Sequence, residues 1–447
     1  MGARRNGHLA GVVVACAAAA LLASAVGAQQ NAGEAALEAR VAKVLAEVPL
    51  IDGHNDVPEQ FRDRVKDRLD RLDLASNTSK LDPPMQTDIP RLRQGRLGGQ
   101  FWSVYVPTSL KGSEAVQALF EQIDVVHRMA SRYPDTFAMA YSAADVERIH
   151  HSGKIACLIG MEGGHSIGDS LAVLREAYAC GARYLTLTHW DDTDWADSAT
   201  AKPRHNGLTA FGREVVREMN RLGMLVDLSH VSDKTMRDAI ATSEAPVIFS
   251  HSSARALCDH VRNVPDDILR AVGADRGIVM VNFMPGFISN GAREWDDKAF
   301  PERDRLEALY PNDPHRVKTE FAAWKQAHPA PVVTLSQVAD HVEHIRMVAG
   351  IDHVGLGSDF DGISRTPAGL EDVSKYPALL AELLRRGWSD ADLAKLAGQN
   401  ILRVMREAEV VAARLQKTRL PSEERIEDLD ASPASSDHAP ATGGPSR

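Results

Sequence analysis

Val48-Pro-Leu-Ile-Asp-Gly-His-Asn-Asp56 is an apolar run that stops at a glycine and is followed at once by His54 and Asp56. The run reads as a short buried strand. In extended backbone, residues two apart point the same way, so one imidazole and one carboxylate converge on one spot. Both are natural ligands for zinc and similar divalent ions. A single His-x-Asp triplet also arises by chance. Its meaning depends on what the rest of the chain places at equivalent positions.

The strand pattern recurs seven more times, at Gln100–Val106, Lys154–Gly160, Arg183–Thr188, Met224–Ser229, Pro246–Ser250, Gly277–Phe283 and Asp352–Ser358. Helical patterns lie between the strands. A short helix over 33–47 precedes the first strand, and Ser113 opens a helix carrying Val116, Leu119, Ile123 and Val126 at helical spacing. Others are expected near Ser170–Cys180, Thr209–Leu222 with Gly223 as its stop, Asp233–Thr242, and from Pro265. Thr334 and Gln337 form a capping box for Leu335–Val348, and Ser389 caps the last helix, with Leu393, Leu396 and Ile401. The charged run Phe61–Arg71 reads as a solvated helix face, and a long insertion precedes Val333. Short strands alternating with helices, eight of them, make an α/β protein of the closed (β/α)8 TIM-barrel type. An open doubly wound sheet is the other arrangement, but no Gly-rich dinucleotide turn follows the first strand.

At 447 residues, with 44% hydrophobic and 25% charged residues, the chain has the composition of a globular protein with a large core. A net charge of -10 argues against nucleic acid as a partner. Arg4 and Arg5, an apolar Ala-rich stretch from about Leu9 to Val26, and Gly27-Ala28-Gln29 match a secretory signal peptide. The expected organisation is therefore a leader over 1–28, a catalytic barrel over 29–420, and a disordered acidic tail over 421–447. The expected location is periplasmic or secreted, with no transmembrane span in the mature chain. Lipoprotein processing at Cys16 is a weaker alternative, because the apolar run ahead of it is short. Cys157, Cys180 and Cys258 cannot all pair within one chain and are expected as free thiols.

In such barrels the chemistry sits where strands end. The first strand ends in His54 and Asp56, the third in Glu162, the fourth in His189, the fifth in His230, the sixth in His251, and the eighth in Asp359 and Asp361. Among 17 histidines one such placement means little. Four, with acidic residues at three ends, mark a metal centre. One zinc needs three or four ligands, and more are present here. A carboxylate can bridge two ions, so His54, Asp56, Glu162, His230 and His251 would fill two sites sharing Glu162 and a hydroxide.

The stretch from Glu162-Gly-Gly through Leu174, Tyr178 and Gly181 to Arg183-Tyr-Leu-Thr-Leu-Thr-His189 resembles the signature of the membrane (renal) dipeptidase family of zinc peptidases. Asp52–Pro58, Thr87–Arg91, Gly99–Ser103, Ser250–Ser253, Arg262–Asp267 and Gly357–Gly362 are similar to further segments of that family. The likeness runs from about Val48 to Arg403. Ala182 stands where a larger aliphatic is usual, and Asp191 stands near a disulfide cysteine of the mammalian members.

The resemblance implies two Zn2+ per chain, one on His54 and Asp56, the other on His230 and His251, with Glu162 bridging. It implies that His189 contacts the substrate and polarises the scissile carbonyl rather than binding metal. Arg262 would hold the substrate's C-terminal carboxylate, and Asp359 its amino group while helping to move protons. The implied reaction is hydrolysis of a small dipeptide, with tolerance for a C-terminal D-residue and for β-lactams, by a homodimer. Asp227 and Asp361 are candidates for orienting the ligands, and Trp102 for lining the pocket or for the core. His341 and His344 are expected to face solvent, and His165 and His205 to be without a role. Rival readings are another binuclear amidohydrolase-type enzyme, such as a lactonase, and a non-catalytic binding protein. The first often bridges its metals with a carboxylated lysine after the fourth strand, where this chain has Thr188-His189.

Overall fold

The computed structural model describes residues 33–430; the expected leader, and the tail beyond Asp430, lie outside the described residues. Among the described residues there are nine strands: β1 Leu50–Asn55, β2 Leu97–Tyr105, β3 Phe137–Met139, β4 Ile155–Glu162, β5 Ala182–Thr186, β6 Leu225–Asp227, β7 Ile248–Phe249, β8 Ile278–Val281 and β9 Val354–Leu356. All pairings are parallel, and the order β2-β1-β9-β8-β7-β6-β5-β4 is closed by β4 on β2. That seam runs from Gly99 opposite Ala156 to Tyr105 opposite Glu162. The eight expected strands are thus the staves of a closed (β/α)8 barrel.

The unexpected strand is β3, three residues long. It pairs with β4 at Ile155–Cys157, ahead of the stretch from Ile159 that takes β5. Its brevity leaves too little alternation to read from sequence.

Ile51, Phe101, Leu158, Tyr184, Ile248 and Met280, from six different staves, share one packed cluster. Side chains of non-adjacent staves can meet only through the barrel interior, so this is a filled core rather than a pore. Gly53 shows how tight that interior is. A Cβ there would lie 2.4 Å from the Ser250 carbonyl oxygen and 2.6 Å from Met280 Sδ. A larger core cluster lies between staves and helices.

The helices follow the same logic. In Ala210–Leu222, Thr209 caps the Gly212 N–H, and Phe211, Val215, Val216, Met219 and Leu222 are buried at helical spacing. Gly223, at φ 85, ends the helix in the left-handed region that glycine tolerates. The Thr334–Gln337 capping box is formed at the start of Leu335–Ala349. The insertion after β8 is itself helical, over Pro285–Ile288, Asn290–Leu309 and Pro314–Ala327.

Two histidine expectations are corrected. His341 is buried, accepting the Ala254 N–H at Nδ1 with Nε2 3.0 Å from the Ile288 carbonyl, and His344 lies 2.8 Å from Asp266. His341 thus ties the insertion to the loop after β7, while His344 faces the helix that begins at Asp266. Trp102 belongs to the core, edge-on to Phe137 at 5.9 Å. The three described cysteines are free, Cys157 and Cys258 buried and Cys180 exposed. In the stretch expected to be disordered from Pro421, Ile426–Leu429 is a short helix, the Ser422 carbonyl accepts from Arg175, and Asp430 accepts the Phe211 N–H. No described helix is long and apolar enough to cross a membrane.

Candidate metal centre

Each expected site residue except Arg262, which lies in the long loop after β7, sits at or just beyond the C-terminal end of a stave, and the barrel brings them together. Glu162 closes β4 at the centre. Its Oε1 lies 3.2 Å from His230 Nε2, 3.5 Å from His251 Nε2 and 3.6 Å from His189 Nε2. Its Oε2 lies 3.4 Å from His54 Nε2, which is also 3.4 Å from Asp56 Oδ1. Ser103, near the end of β2, donates to Glu162 Oε2 at 3.1 Å. The Nε2 atoms of His230 and His251 approach to 3.0 Å. Three groups are tight enough to hold an ion: His54, Glu162 and His251; Glu162, His189 and His230; and His54, Asp56 and Asp359. These groups cut across the expected pairing and bring His189 and Asp359 within reach of the same points.

The hydrogen bonds behind the rings decide which nitrogen is free. His54 Nδ1 is 2.8 Å from the Tyr184 hydroxyl, which donates onward to the Gly53 carbonyl. His251 Nδ1 is 2.8 Å from the Ser250 hydroxyl, which donates onward to Asp227. A hydroxyl whose proton is already given away must accept, so both imidazoles carry their proton on Nδ1. Their Nε2 lone pairs then face Glu162. This is the arrangement that fixes a metal-ligating imidazole. His54 Nε2 is buried with no hydrogen-bond partner, the state of an atom awaiting a cation.

The electrostatics agree. Burial opposes charge on His54, yet Tyr184, Glu162 and Asp56 drive its pKa well above the ordinary imidazole value, so the site demands positive charge there. Burial works against ionising Glu162 as well, but His54, His189 and His230 hold it well below the usual carboxylate range. Burial, with Arg262 and neighbouring imidazoles, pushes His230 and His251 well down, keeping them neutral as ligands must be. Burial lowers His189 to about 4. Burial, then the Asp56 charge, raises Asp359 to about 8. These residues fit a binuclear divalent-metal centre.

Backbone strain gathers at the same place. His230, Asp359 and Asp361 take φ values of 71, 67 and 68, in the left-handed region costly for residues other than glycine. A pocket of about 190 Å3 opens above the cluster, and Arg262, Phe287, Trp190, Tyr105 and Glu59 line it with the site residues. Arg262 is fully buried, held by Ser252 and the His251 carbonyl, with Nε unpartnered. Burial lowers its pKa to about 10.

Of the candidates for orienting ligands, Asp227 accepts from Ser250, the proton relay behind His251. Asp361 accepts the Gln86 N–H and touches no ligand through a hydrogen bond. Sequence reasoning missed Tyr184, Ser250, Asn282, Asp52 and Glu59. Asn282, next after β8, donates to Asp359 at 2.9 Å. Asp52 accepts from the Ser358 backbone, the Ser358 hydroxyl and Tyr376, tying β1 to the end of β9. The strand-end rule applied to the seventh strand would have found Asn282. Tyr184 and Ser250 lie within quoted strands, but nothing in a hydroxyl's sequence context announces the ring it braces.

A barrel that gathers four imidazoles and a shared carboxylate at its strand ends defines a metal-dependent hydrolase. Residues 38–419 match the family model described as membrane dipeptidase, peptidase family M19. The chain belongs to that family of metallo-dipeptidases. It is 42% identical over 373 residues to Dipeptidase 3 of Rattus norvegicus, covering 82% of this chain and 67% of the relative. Among solved structures, the probable dipeptidase PvdM of Pseudomonas aeruginosa superposes with a TM-score of 0.71 at 27% identity, covering 84% of this chain and 99% of that one. A metallo-peptidase from Rhodobacter sphaeroides, liganded with a phosphinate mimic of the dipeptide L-Ala-D-Ala, superposes with a TM-score of 0.65 at 25% identity. The covered shares are 81% and 99%.

Proposed function

We propose that this chain is a dizinc dipeptidase that cleaves dipeptides with free termini and accepts a D-residue at the C-terminal position. The observation that carries the reading is the placement of Glu162, with one oxygen towards His54 and the other towards His230 and His251. His54 and Asp56 would hold one zinc, His230 and His251 the other, and Glu162 both. Bound there, divalent ions acidify an attacking water and polarise the scissile carbonyl.

The chain's own groups supply the rest. Arg262, buried and charged, presents a planar fork to the substrate's C-terminal carboxylate. Asp359 accepts the substrate's ammonium. Its place beside His54 and Asp56 also suits it to carry a proton from the attacking water to the leaving amine. His189 stays neutral at working pH because burial holds it at about 4, so it can donate an N–H to the carbonyl oxygen without bringing charge. Recognition of both termini within a pocket of about 190 Å3 excludes longer chains. The L-Ala-D-Ala mimic in the Rhodobacter relative supports the stereochemical part. Export through the leader over 1–28 and assembly as a homodimer complete the proposal.

Metal analysis joined to a panel of L,L- and L,D-dipeptides, with and without chelator, tests the reading. Two zinc ions per chain, and hydrolysis lost to chelator and restored by zinc, are expected. Full activity with one ion or none, or no dipeptide cleaved by the refilled protein, overturns it. N-terminal sequencing of the mature protein and its mass in solution check the leader and the dimer.

A further inference from the structure

Glu59 and Gly362 line two cavities at once, the catalytic pocket and a wider one of about 600 Å3 beside it. Five carboxylates face the wider cavity, from Glu59, Asp63, Asp361, Glu371 and Asp372, against two guanidiniums, Arg64 and Arg91. Both guanidiniums are already engaged. Arg91 pairs with Asp88 at 2.8 Å and Asp372 at 3.2 Å, and Arg64 donates to Gln60 and to the Pro83 carbonyl.

Asp361 is the telling residue. It is 8% exposed; one oxygen accepts the Gln86 N–H at 2.8 Å, while Oδ2 is buried with no hydrogen-bond partner. Like charges gathered around one cavity are costly to leave without counter-charge, and a cationic ligand would offset that cost.

The position of the shared lining says which part of a substrate lies nearest the wider cavity. A Cβ on Gly362 would meet Asp56 Oδ2 at 2.2 Å and Asp359 Oδ1 at 2.7 Å, so the shared wall stands beside Asp359. Asp359 takes the substrate's amino group in the dipeptidase reading, on which this step rests. Arg262, at the carboxylate end, lines only the catalytic pocket. The N-terminal residue is therefore the one whose side chain lies nearest the wider cavity. On the way it passes Glu59, whose Oε1 is held by Arg62 at 3.0 Å.

We infer that Glu59 is a specificity-determining residue, and that the acidic cavity beyond it receives a basic side chain on the N-terminal residue of the dipeptide. A lysyl ammonium offers three donors on a flexible stem, enough to reach past Glu59 and leave the reacting groups in place.

The test compares kcat/KM of the zinc-loaded enzyme for Lys-Ala, norleucyl-Ala, Ala-Lys and Ala-norleucine, substrates that differ in one charge and its position. Lys-Ala should exceed norleucyl-Ala by about tenfold, as charge-assisted hydrogen bonds allow. Ala-Lys should show no such advantage over Ala-norleucine. In Glu59→Gln the Lys-Ala to norleucyl-Ala ratio should fall several-fold. Equal ratios at the two positions, or a Lys-Ala preference untouched by Glu59→Gln, overturn the inference. If that variant turns nothing over, calorimetric binding of lysinamide against norleucinamide gives the comparison without turnover, and an undiminished preference again overturns it. Failure of the wild type to cleave any of the four would instead strike the dipeptidase reading itself.

Discussion

The two cavities that meet at Glu59 and Gly362 are built from different parts of the fold. The catalytic pocket is made of stave ends. Glu162 closes β4, while His189, His230, His251 and Asp359 follow β5, β6, β7 and β9 within three residues. The wider cavity is made of the helix Val57–Val65 and of loop residues, Pro83 to Gln86 and Asp361 to Asp372 among them. A stave end is fixed by the ladder beside it and by the core beneath, so its side chains hold the geometry that chemistry requires. Loops tolerate substitution. The fold thus puts bond cleavage on its rigid part and leaves substrate choice to its adaptable part.

Glu162→Gln strikes the rigid side hardest. The amide keeps the shape but loses the charge that faces His54 on one side and His230 and His251 on the other. Turnover should fall by at least about 10^3-fold and bound zinc per chain should drop. Full activity with full metal content would break the shared-carboxylate scheme. Arg262→Lys comes next. A lysine keeps the charge but cannot offer the planar fork, and it leaves the buried space partly unfilled. A fall of about 10^2-fold in kcat/KM is expected, carried mainly by KM, in a steady-state assay with Ala-Ala. A loss confined to kcat would show that Arg262 acts on the reacting centre rather than on the carboxylate.

The same contrast explains what the sequence made legible. Stave ends could be read because apolar runs mark the strands and histidine or acid marks their ends, as at His54, His230 and His251. Braces could not, because they join distant positions through ordinary residues. Tyr184 holds His54 from 130 residues away, and Tyr376 holds Asp52 from 324. Glu59 escaped notice because it sits just ahead of a charged run that reads as a solvated face. That helix does turn charge outward, yet Phe61 is fully buried and Glu59 faces the pocket. His341 shows the converse. On a helix pattern it reads as exposed, and only the packing of the insertion reveals that its ring spans Ala254 and Ile288.

Tyr184→Phe tests whether the braces matter as much as the ligands. The ring still packs over Gly160, where a Cβ would come within 2.0 Å of it, so the core is spared. What disappears is the hydroxyl that accepts from His54 and donates to Gly53. Zinc affinity, read by competition with a chromogenic chelator, should fall by about 10- to 100-fold. An unchanged affinity would mean that backbone alone aims His54.

The smallest effect belongs to the wall between the cavities. Burial raises the Asp361 carboxyl to about 6, from 3.8. The folded state therefore holds a proton that the unfolded state has released. Stability falls as pH rises through that interval, and the charged form is a standing cost above it. Asparagine keeps the acceptor for Gln86 and tolerates the φ of 68, but carries no charge to bury. Asp361→Asn should accordingly be more stable than wild type at pH 7.5 by about 1–3 kcal/mol, measured by denaturant unfolding after metal removal. The gap should close as pH drops towards 4, where the wild-type carboxyl is protonated in the folded protein. A gap independent of pH would assign the gain to packing rather than to charge. A loss of stability at every pH would mean that the second oxygen accepts a hydrogen bond, from the Thr87 hydroxyl, that an amide nitrogen cannot.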